Sequence, residues 1–157
     1  MATYDKTGCG PTAGQPPFDS GDRSYVFSNT VDLTGSAMVS AAIYQSLAIP
    51  PNTLVGSVHL RIDTPAVGTS LDMTVGHGGV AAGWDASVDG KGTAGTYTHS
   101  VIGTDTNAVA ANSGFFYANA GTVAVPLGDS IDVTMATATG ITAGPKYTIW
   151  AVCKNLD

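Results

Sequence analysis

The stretch from Leu54 to Asp63, LVGSVHLRID, decides the fold class of this chain. Its apolar residues Val58, Leu60 and Ile62 alternate with polar residues. Successive side chains of a β-strand point to opposite faces, so this alternation is typical of a strand with one buried face. The chain is therefore expected to build its core from strands.

Similar short runs recur along the chain, separated by clusters of Gly, Pro and Asp. The predicted strands are 24–27, one bent strand or a strand pair within 37–49, 54–63, 71–75, 96–102, 115–120, 122–125, 131–135 and 146–154. Short strands spaced by roughly ten residues predict a sandwich or a barrel. Roughly eight strands in two sheets is the number found in jelly rolls. We therefore predict an all-β, antiparallel, jelly-roll-like sandwich of about eight strands.

Two segments depart from simple alternation. Lys146–Lys154 is apolar on both faces, which places it either in the middle of a sheet or against a partner subunit. His77–Gly95 is rich in glycine and is predicted to be a long irregular loop. Loops of this length are usually functional or mobile.

The first 23 residues differ from the rest, because glycine and proline occur in them at a density that breaks both strands and helices. We expect an extended N-terminal arm over residues 1–23 and one β-sandwich domain over residues 24–157, a length that suits a single domain. A loose terminus and an arm that lies along a neighbouring subunit are both compatible with this composition.

Composition excludes several partners. The formal net charge is -6, and all twelve acidic residues are Asp. Phosphate binding needs a basic stripe, so no nucleic acid partner is expected. No apolar run approaches the roughly 20 residues of a membrane helix, so no membrane partner is expected. The N-terminal stretch has no secretory signal, so synthesis in a cytoplasm is expected.

Cysteine usage fits the same compartment. Cys9 and Cys153 are far apart in sequence, and two reduced thiols are the expectation for a cytoplasmic protein. A bridge that ties the N-terminal arm to the last strand is the alternative. Zinc is not supported, because a structural site needs about four ligands.

Catalytic patterns are not found. The three histidines, His59, His77 and His99, lack metal-ligand spacing, and no nucleophile elbow is present. Asp85 and Asp89 could in principle act as paired carboxylates or bind calcium. Asp in a glycine-rich segment more often caps turns. We predict a protein that is not an enzyme and has no catalytic residue, no metal and no cofactor.

Aromatic residues indicate recognition. Phe115, Phe116 and Tyr117 are consecutive, so both faces of a strand would carry a ring, and a large exposed apolar patch is normally covered. We predict that an oligomer or capsid interface includes Phe18, Phe115, Phe116, Tyr117 and Trp150. A possible surface recognition loop contains His77, Trp84, Asp85 and Asp89, with Trp84 as a carbohydrate platform.

Three stretches carry a family resemblance. The run AVGTSLDMTVG (66–76), the loop with Trp84-Asp85 followed by AGT (94–96), and the final run TAGPKYTIWAV (142–152) resemble small β-rich virion proteins of tailed bacteriophages. The resemblance spans residues 54–157. It departs from the family pattern at His77, where Asp is usual.

The resemblance implies a capsid decoration (cement) protein, or a head-fibre or tail component. Such proteins are often trimers that sit where capsomers meet. It thus implies a non-enzymatic structural protein on the capsid surface of the virion, made in the host cytoplasm, with the major capsid protein and further copies of itself, as a homotrimer, for partners. The alternative is a carbohydrate- or receptor-binding module of a phage fibre or tail. A hydrolase would require a cleft with two close acids.

Overall fold

Strands make up the regular structure of the chain. The computed structural model describes residues 3–5, 24–49, 53–77, 80–101, 115–117 and 129–155. The strands are β1 (Thr3–Asp5), β2 (Ser24–Asp32), β3 (Ile43–Ile49), β4 (Thr53–Thr64), β5 (Ser70–His77), β6 (Val80–Asp89), β7 (Tyr97–Val101), β8 (Phe115–Tyr117), β9 (Asp129–Thr139) and β10 (Lys146–Asn155). In the described part of the chain, no helix is long and apolar enough to cross a membrane.

The strands form two sheets. The first sheet has the order β1-β3-β9-β5-β6, and the second has the order β2-β10-β4-β7, with β8 also paired to β4. The short β1 runs parallel to β3, while the other pairs are antiparallel. Without β1 and β8, four strands remain in each sheet, and the chain alternates between the sheets except at the β5–β6 hairpin. This is the jelly roll predicted from the sequence, with two short strands added.

The core lies between the two sheets and follows the alternation seen in the sequence. Val58, Leu60 and Ile62 of β4 are buried. Across the sandwich, Ile131 and Val133 of β9 are buried as well. Side chains from two inner faces interdigitate in this way in sandwiches, so the period-two pattern identified the core residues correctly.

β10 lies in the middle of the second sheet. It pairs with β2 on one side and with β4 on the other. Tyr147, Ile149 and Ala151 point inward and have no exposed surface. The central position explains why both faces of this strand are apolar, and it confirms one of the two interpretations given to its sequence.

The segment predicted as an irregular loop is largely a strand, so that prediction is wrong. Val80–Asp89 forms β6 and pairs antiparallel with β5. The register between them shifts twice, around Val75. Bulges of this kind break the period-two pattern, and Gly and Ala residues hide what remains of it. Trp84 and Val88 of β6 belong to the core.

Other observed strand boundaries differ from the predicted ones, because backbone groups form hydrogen bonds with distant segments. Within the predicted 37–49 segment only Ile43–Ile49 is a strand. Ahead of it, the Met38 amide donates to the Ile141 carbonyl (3.3 Å) and the Ala41 amide to the Met135 carbonyl (2.7 Å). Residues 37–42 are therefore a loop held by long-range hydrogen bonds. The predicted strand 122–125 lies outside the described residues.

Three loops are joined at one end of the sandwich. The Leu33 amide donates to the Pro145 carbonyl (3.1 Å), and the Val67 amide donates to the Ala143 carbonyl (2.8 Å). Gly68 has a φ of +150°, and a Cβ there would lie 2.3 Å from the Gly140 carbonyl oxygen. This close approach requires glycine, so the loop sequence and the packing of this end are coupled.

The start of the predicted arm pairs within its own chain. Thr3–Asp5 lies parallel to Ile43–Gln45 at the edge of the first sheet. Residues 6–23, including Cys9 and Phe18, lie outside the described residues. The division of the chain at residue 23 stays a prediction.

Cys153 is a free thiol and is buried in the core. Burial raises its pKa to about 12, because the thiolate is poorly solvated there. Cys153 therefore behaves as a small apolar core residue.

We expect Trp84→Ala to destabilise the protein by about 3–5 kcal/mol, since removing a buried indole leaves a cavity. Urea denaturation followed by circular dichroism measures this. Trp150→Ala is the matched control, because Trp150 is only half-buried, and its loss should be smaller. An equal or smaller loss for Trp84→Ala would contradict the core position of Trp84.

Candidate functional site

The outer face of the second sheet carries a cluster of three aromatic rings. The rings of His59 and Trp150 are stacked, with centroids 5.3 Å apart and an interplanar angle of 4°. The Tyr97 ring lies 5.7 Å from each of them. The three residues come from β4, β10 and β7, and His59 and Trp150 are register partners. We call this group the aromatic cluster.

Hydrogen bonds hold the aromatic cluster in place. Ser57 Oγ and His59 Nε2 are 2.9 Å apart, and His59 Nδ1 is hydrogen-bonded to the Tyr97 hydroxyl. The Tyr97 side is open to solvent, with 49% of the residue exposed. Rings that pack against each other on an outer face form a rigid apolar surface, of the kind that anchors protein contacts.

The apolar surface continues toward the edge of the sheet. Val26 of β2 is 64% exposed, and its register partner is the half-buried Val152 of β10. Trp150 lies two residues before Val152 in β10, so both side chains are on the same outer face. The outer face thus carries apolar side chains from Val26 through Val152 and Trp150 to Tyr97, with Ser28, Ser57 and His59 beside them.

The other end of this face is polar. Arg61 Nε lies 2.7 Å from Asp63 Oδ1, and the Thr148 hydroxyl donates to Asp63 Oδ2 (2.6 Å). Burial opposes ionisation of Asp63. The hydrogen bonds from Thr148 and Arg61 and the charges of Arg61 and Lys146 outweigh it and hold the pKa of this carboxyl below its usual value. Asp63 is therefore the charged anchor of this polar end.

The structure places some of the residues predicted to form an interface in one sheet. Phe115–Tyr117 forms β8 and pairs with Thr53–Val55 of β4, so it belongs to the same sheet as Trp150. Phe18 lies outside the described residues. The interface role of these residues stays a prediction.

The residues of the predicted recognition loop are placed differently from expectation. Trp84 is 5% exposed and His77 is 9% exposed. The Asp85 carboxylate accepts a hydrogen bond from the Ser87 amide (3.2 Å), and that of Asp89 accepts one from the Lys91 amide (2.9 Å). A carbohydrate platform on an exposed Trp84 is therefore wrong, because the indole fills the core. A recognition role for Asp85 and Asp89 stays a prediction.

Sequence reasoning missed His59 and Tyr97 as parts of a site. Alternation put His59 on the polar face of its strand and Trp150 on the face opposite Tyr147 and Ile149. That β4 and β10 are neighbours, in a register that sets the two rings side by side, depends on long-range pairing. Alternation within one strand contains no information about that register.

The acidic side chains of the described residues were compared with the arrangements that metal binding and acid–base catalysis need. Among the described residues, no three His, Cys or Asp side chains are grouped so that they could hold a metal ion. Asp72 and Asp89 line an open depression of about 570 Å³. Asp72 accepts a hydrogen bond from the Ser87 hydroxyl (2.9 Å). Lys91, also in its lining, donates to the Thr69 carbonyl (2.9 Å). These bonds tie the side chains to the local structure.

We expect Asp63→Asn to lower the free energy of unfolding at pH 7. A carboxyl whose folded pKa is depressed contributes stability above its unfolded pKa of about 3.9, and this contribution is lost as pH falls through the lower folded value. The difference between wild type and variant should therefore shrink below pH ~4. Urea denaturation over a pH series measures it. Thr137→Val, exposed on the first sheet, is the control, and a pH-independent difference for Asp63→Asn would contradict the assignment.

No family model and no curated protein sequence matches the chain. Solved structures do. A chain in the capsid of Ralstonia phage GP4 aligns over 98% of this chain and 98% of its own length, with a TM-score of 0.66 and 14% identity. A chain in the cyanophage Pam1 capsid asymmetric unit aligns over 90% and 91%, with a TM-score of 0.60 and 15% identity.

A further match is a chain in the acidic stable capsid structure of the Helicobacter pylori bacteriophage KHP30. It covers 88% of this chain and 92% of its own length, with a TM-score of 0.55 and 12% identity. At such identities the likeness establishes the fold. The chain has the fold of similarly sized chains found in bacteriophage capsids, which confirms, at the level of the fold, its resemblance to small β-rich phage virion proteins.

Proposed function

We propose that this chain is a non-enzymatic structural protein of a phage virion. More narrowly, it is a capsid decoration (cement) protein that binds the outer surface of the shell. The observation that carries the proposal is the match to a phage GP4 capsid chain over 98% of both chains. The shared fold therefore extends over nearly all of the sequence compared in both chains.

The outer face of the second sheet supports the assignment of a protein partner. It exposes Val26 and Tyr97 beside the half-buried Trp150. Trp and Tyr are enriched among residues that dominate binding energy at protein interfaces. The major capsid protein is the proposed partner for this face.

The charge of the chain supports a place on the outer surface. A net charge of -6 is repelled by the phosphate backbone of packaged nucleic acid. The same charge favours solubility of the free protein before it joins the shell. The proposed course is synthesis in the host cytoplasm followed by addition to the capsid surface.

A cement protein stabilises a shell by mass action. A protein that binds the assembled lattice, and not the separated capsomers, stabilises the lattice by about 2.7 kcal/mol per site at 100-fold excess over its Kd. The protein must itself be rigid, because ordering a flexible binder on the shell costs free energy. The loops joined by hydrogen bonds at one end of the sandwich supply such rigidity.

Self-association belongs to the same proposal. A homotrimer is the expected form. The contacts proposed for the shell and for other copies are the arm of residues 1–23 together with Phe18, Phe115, Phe116, Tyr117 and Trp150.

A carbohydrate- or receptor-binding module of a fibre or tail is the second candidate. With Trp84 buried, its support moves to the aromatic cluster. Half-exposed rings beside the Arg61–Asp63 pair (2.7 Å) offer a stacking surface next to planar polar groups. A glycan array with wild-type protein would favour this candidate if it gave hits that Trp150→Ala abolishes.

We expect the purified protein to co-sediment with shells that lack it and to raise their disruption temperature. Tyr97→Ala combined with Trp150→Ala should weaken binding at least tenfold, a loss of about 1.4 kcal/mol or more. Thr137→Ala, exposed on the first sheet, should bind normally. Failure of the wild-type protein to bind or stabilise shells would refute the cement proposal.

We expect deletion of residues 1–23 to abolish shell binding while circular dichroism still reports a β-sandwich. This deletion also removes β1, so a second variant lacking only residues 1–5 is the control for the loss of that strand. It should keep more binding than the longer deletion. Shell binding that survives the longer deletion would contradict the role of the arm.

A further inference from the structure

Large exposed hydrophobic side chains lie on two surfaces of the described part of the chain. Val26 and Tyr97 belong to the outer face of the second sheet. Val39 is 65% exposed and Val67 is 60% exposed, and both lie in loops at one end of the sandwich. A single exposed hydrophobic residue is ordinary, whereas two on loops that are joined to each other form a surface that another molecule can cover.

Backbone hydrogen bonds make this end of the sandwich rigid. We call its three joined loops the loop end, which comprises residues 33–42, 65–69 and 140–145. The Met38 amide donates to the Ile141 carbonyl (3.3 Å), and the Thr142 amide donates to the Val67 carbonyl (2.9 Å). All three loops lie in the described part of the chain. A surface that is already ordered loses little conformational entropy when a partner binds.

The loop end differs in charge from the rest of the chain. Its three loops contain no charged residue, although the chain has a net charge of -6. Two acidic residues that border it have cations beside them, since Asp32 lies 3.9 Å from Lys146 and Asp63 lies 2.7 Å from Arg61. Two copies of an acidic chain repel each other least where their surfaces are uncharged. The loop end therefore suits a partner that is itself acidic, as a second copy of this chain is.

A further cation borders the loop end from the β6–β7 connection. The Lys91 ammonium donates to the carbonyls of Gly68 and Thr69. Asp72 and Asp89 line the same open depression as Lys91. The positive charge of Lys91 is thus accompanied by two carboxylates, and the exposed valines of the loop end remain its means of contact.

Ala41 provides a second argument for a partner at the loop end. Its φ is +64°, in the left-handed region, where the Cβ of alanine costs free energy that glycine does not lose. The Ala41 amide donates to the Met135 carbonyl (2.7 Å), which holds this conformation. The residue is exposed, so burial within the chain does not account for a side chain that strains the backbone. Contact of its methyl group with another molecule does.

We propose that the loop end packs against the loop end of a second copy of this chain about a two-fold axis. Val39, Ala41 and Val67 of each copy then lie in one contact, and their apolar surface leaves water. The contact is isologous, because an uncharged surface then meets an uncharged surface of the same acidic chain. It joins two sandwiches end to end.

This inference does not rest on the proposed function. The units that meet can be single chains or homotrimers, and in either case loss of the contact halves the mass of the assembly. Self-association is measured without shells, and shell binding is measured separately. Failure of one proposal is therefore distinguishable from failure of the other.

The test is the mass of the purified full-length chain by light scattering at roughly 100 µM, where a contact of micromolar Kd is populated. Val39→Asp and Val67→Asp should each halve the mass, because the two-fold axis brings two unpaired carboxylates into an apolar contact. Ala81→Asp is the matched control. It adds the same charge at an exposed site on β6 and should leave the mass unchanged.

Salt distinguishes this contact from an ionic one. The Debye length falls from about 30 Å at 0.01 M salt to about 3 Å at 1 M. Because each copy carries a net charge of -6, screening should lower the Kd of self-association. A Kd that rises with salt would show that ion pairs hold the copies together, against the proposal.

Ala41→Gly separates association from folding. Its urea midpoint should equal or exceed that of the wild type, because glycine adopts a positive φ without strain. Its Kd for self-association should be about tenfold higher, since two methyl groups leave the contact. A lower midpoint or an unchanged Kd would contradict the place of Ala41 in the contact.

Circular dichroism should show that all the variants fold. A wild-type mass that neither Val39→Asp nor Val67→Asp changes would overturn the proposal. A fall to one third of the wild-type mass would indicate a three-fold contact and would refute the two-fold one. A wild-type protein that stays a single chain, but loses shell binding on Val67→Asp, would identify the shell as the occupant and would also count against a second copy.

Discussion

The position of β10 organises the structure. Its inward side chains are fully buried, and hydrogen bonds to β2 and β4 hold it on both sides. Tyr147 of this strand reaches across the core, where its hydroxyl lies 2.8 Å from Ser46 Oγ of β3. Burial raises the pKa of Tyr147 far above its usual value and outweighs the opposing effect of its hydrogen bond with Ser46, so the phenol stays neutral. A polar contact of this kind links the two sheets at one point within an apolar core.

The central place of β10 also determines what the outer face presents. Because its inward positions belong to the core, the residues between them, Thr148, Trp150 and Val152, must face outward. β4 on one side adds His59 and Asp63, and β2 on the other adds Val26. One face of a single sheet therefore combines the aromatic cluster, an exposed apolar edge and a polar end anchored by Asp63. The proposed contact with a shell uses this face.

The fold and the surface support different conclusions. Full-length similarity to chains of phage capsids concerns the jelly roll, which many unrelated functions share. The aromatic cluster, the exposed Val26 and the acidic charge are properties of this chain's own residues. The proposed structural role in a virion is compatible with both, because a small rigid sandwich with an apolar outer face suits attachment to a larger lattice.

Much of the fold was readable from the sequence, because one buried face per strand imposes a period of two. The strand 54–63 and the last strand were placed to within a residue or two. β6 was missed, since bulges and small residues removed that period. The candidate site was harder to predict, because a solvent-facing ring on one strand is unremarkable until its neighbours are known.

The sequence by itself determined the fold class, the core residues of β4, β9 and β10, and the net charge of -6, since all of these depend on local alternation and composition. Only the tertiary structure decided that Trp84 is a core residue, that His59, Tyr97 and Trp150 stack together, and that β10 lies between β2 and β4. These features arise from which strands lie side by side and in which register. Pairing between segments far apart in the chain sets that order, and it has no local signature.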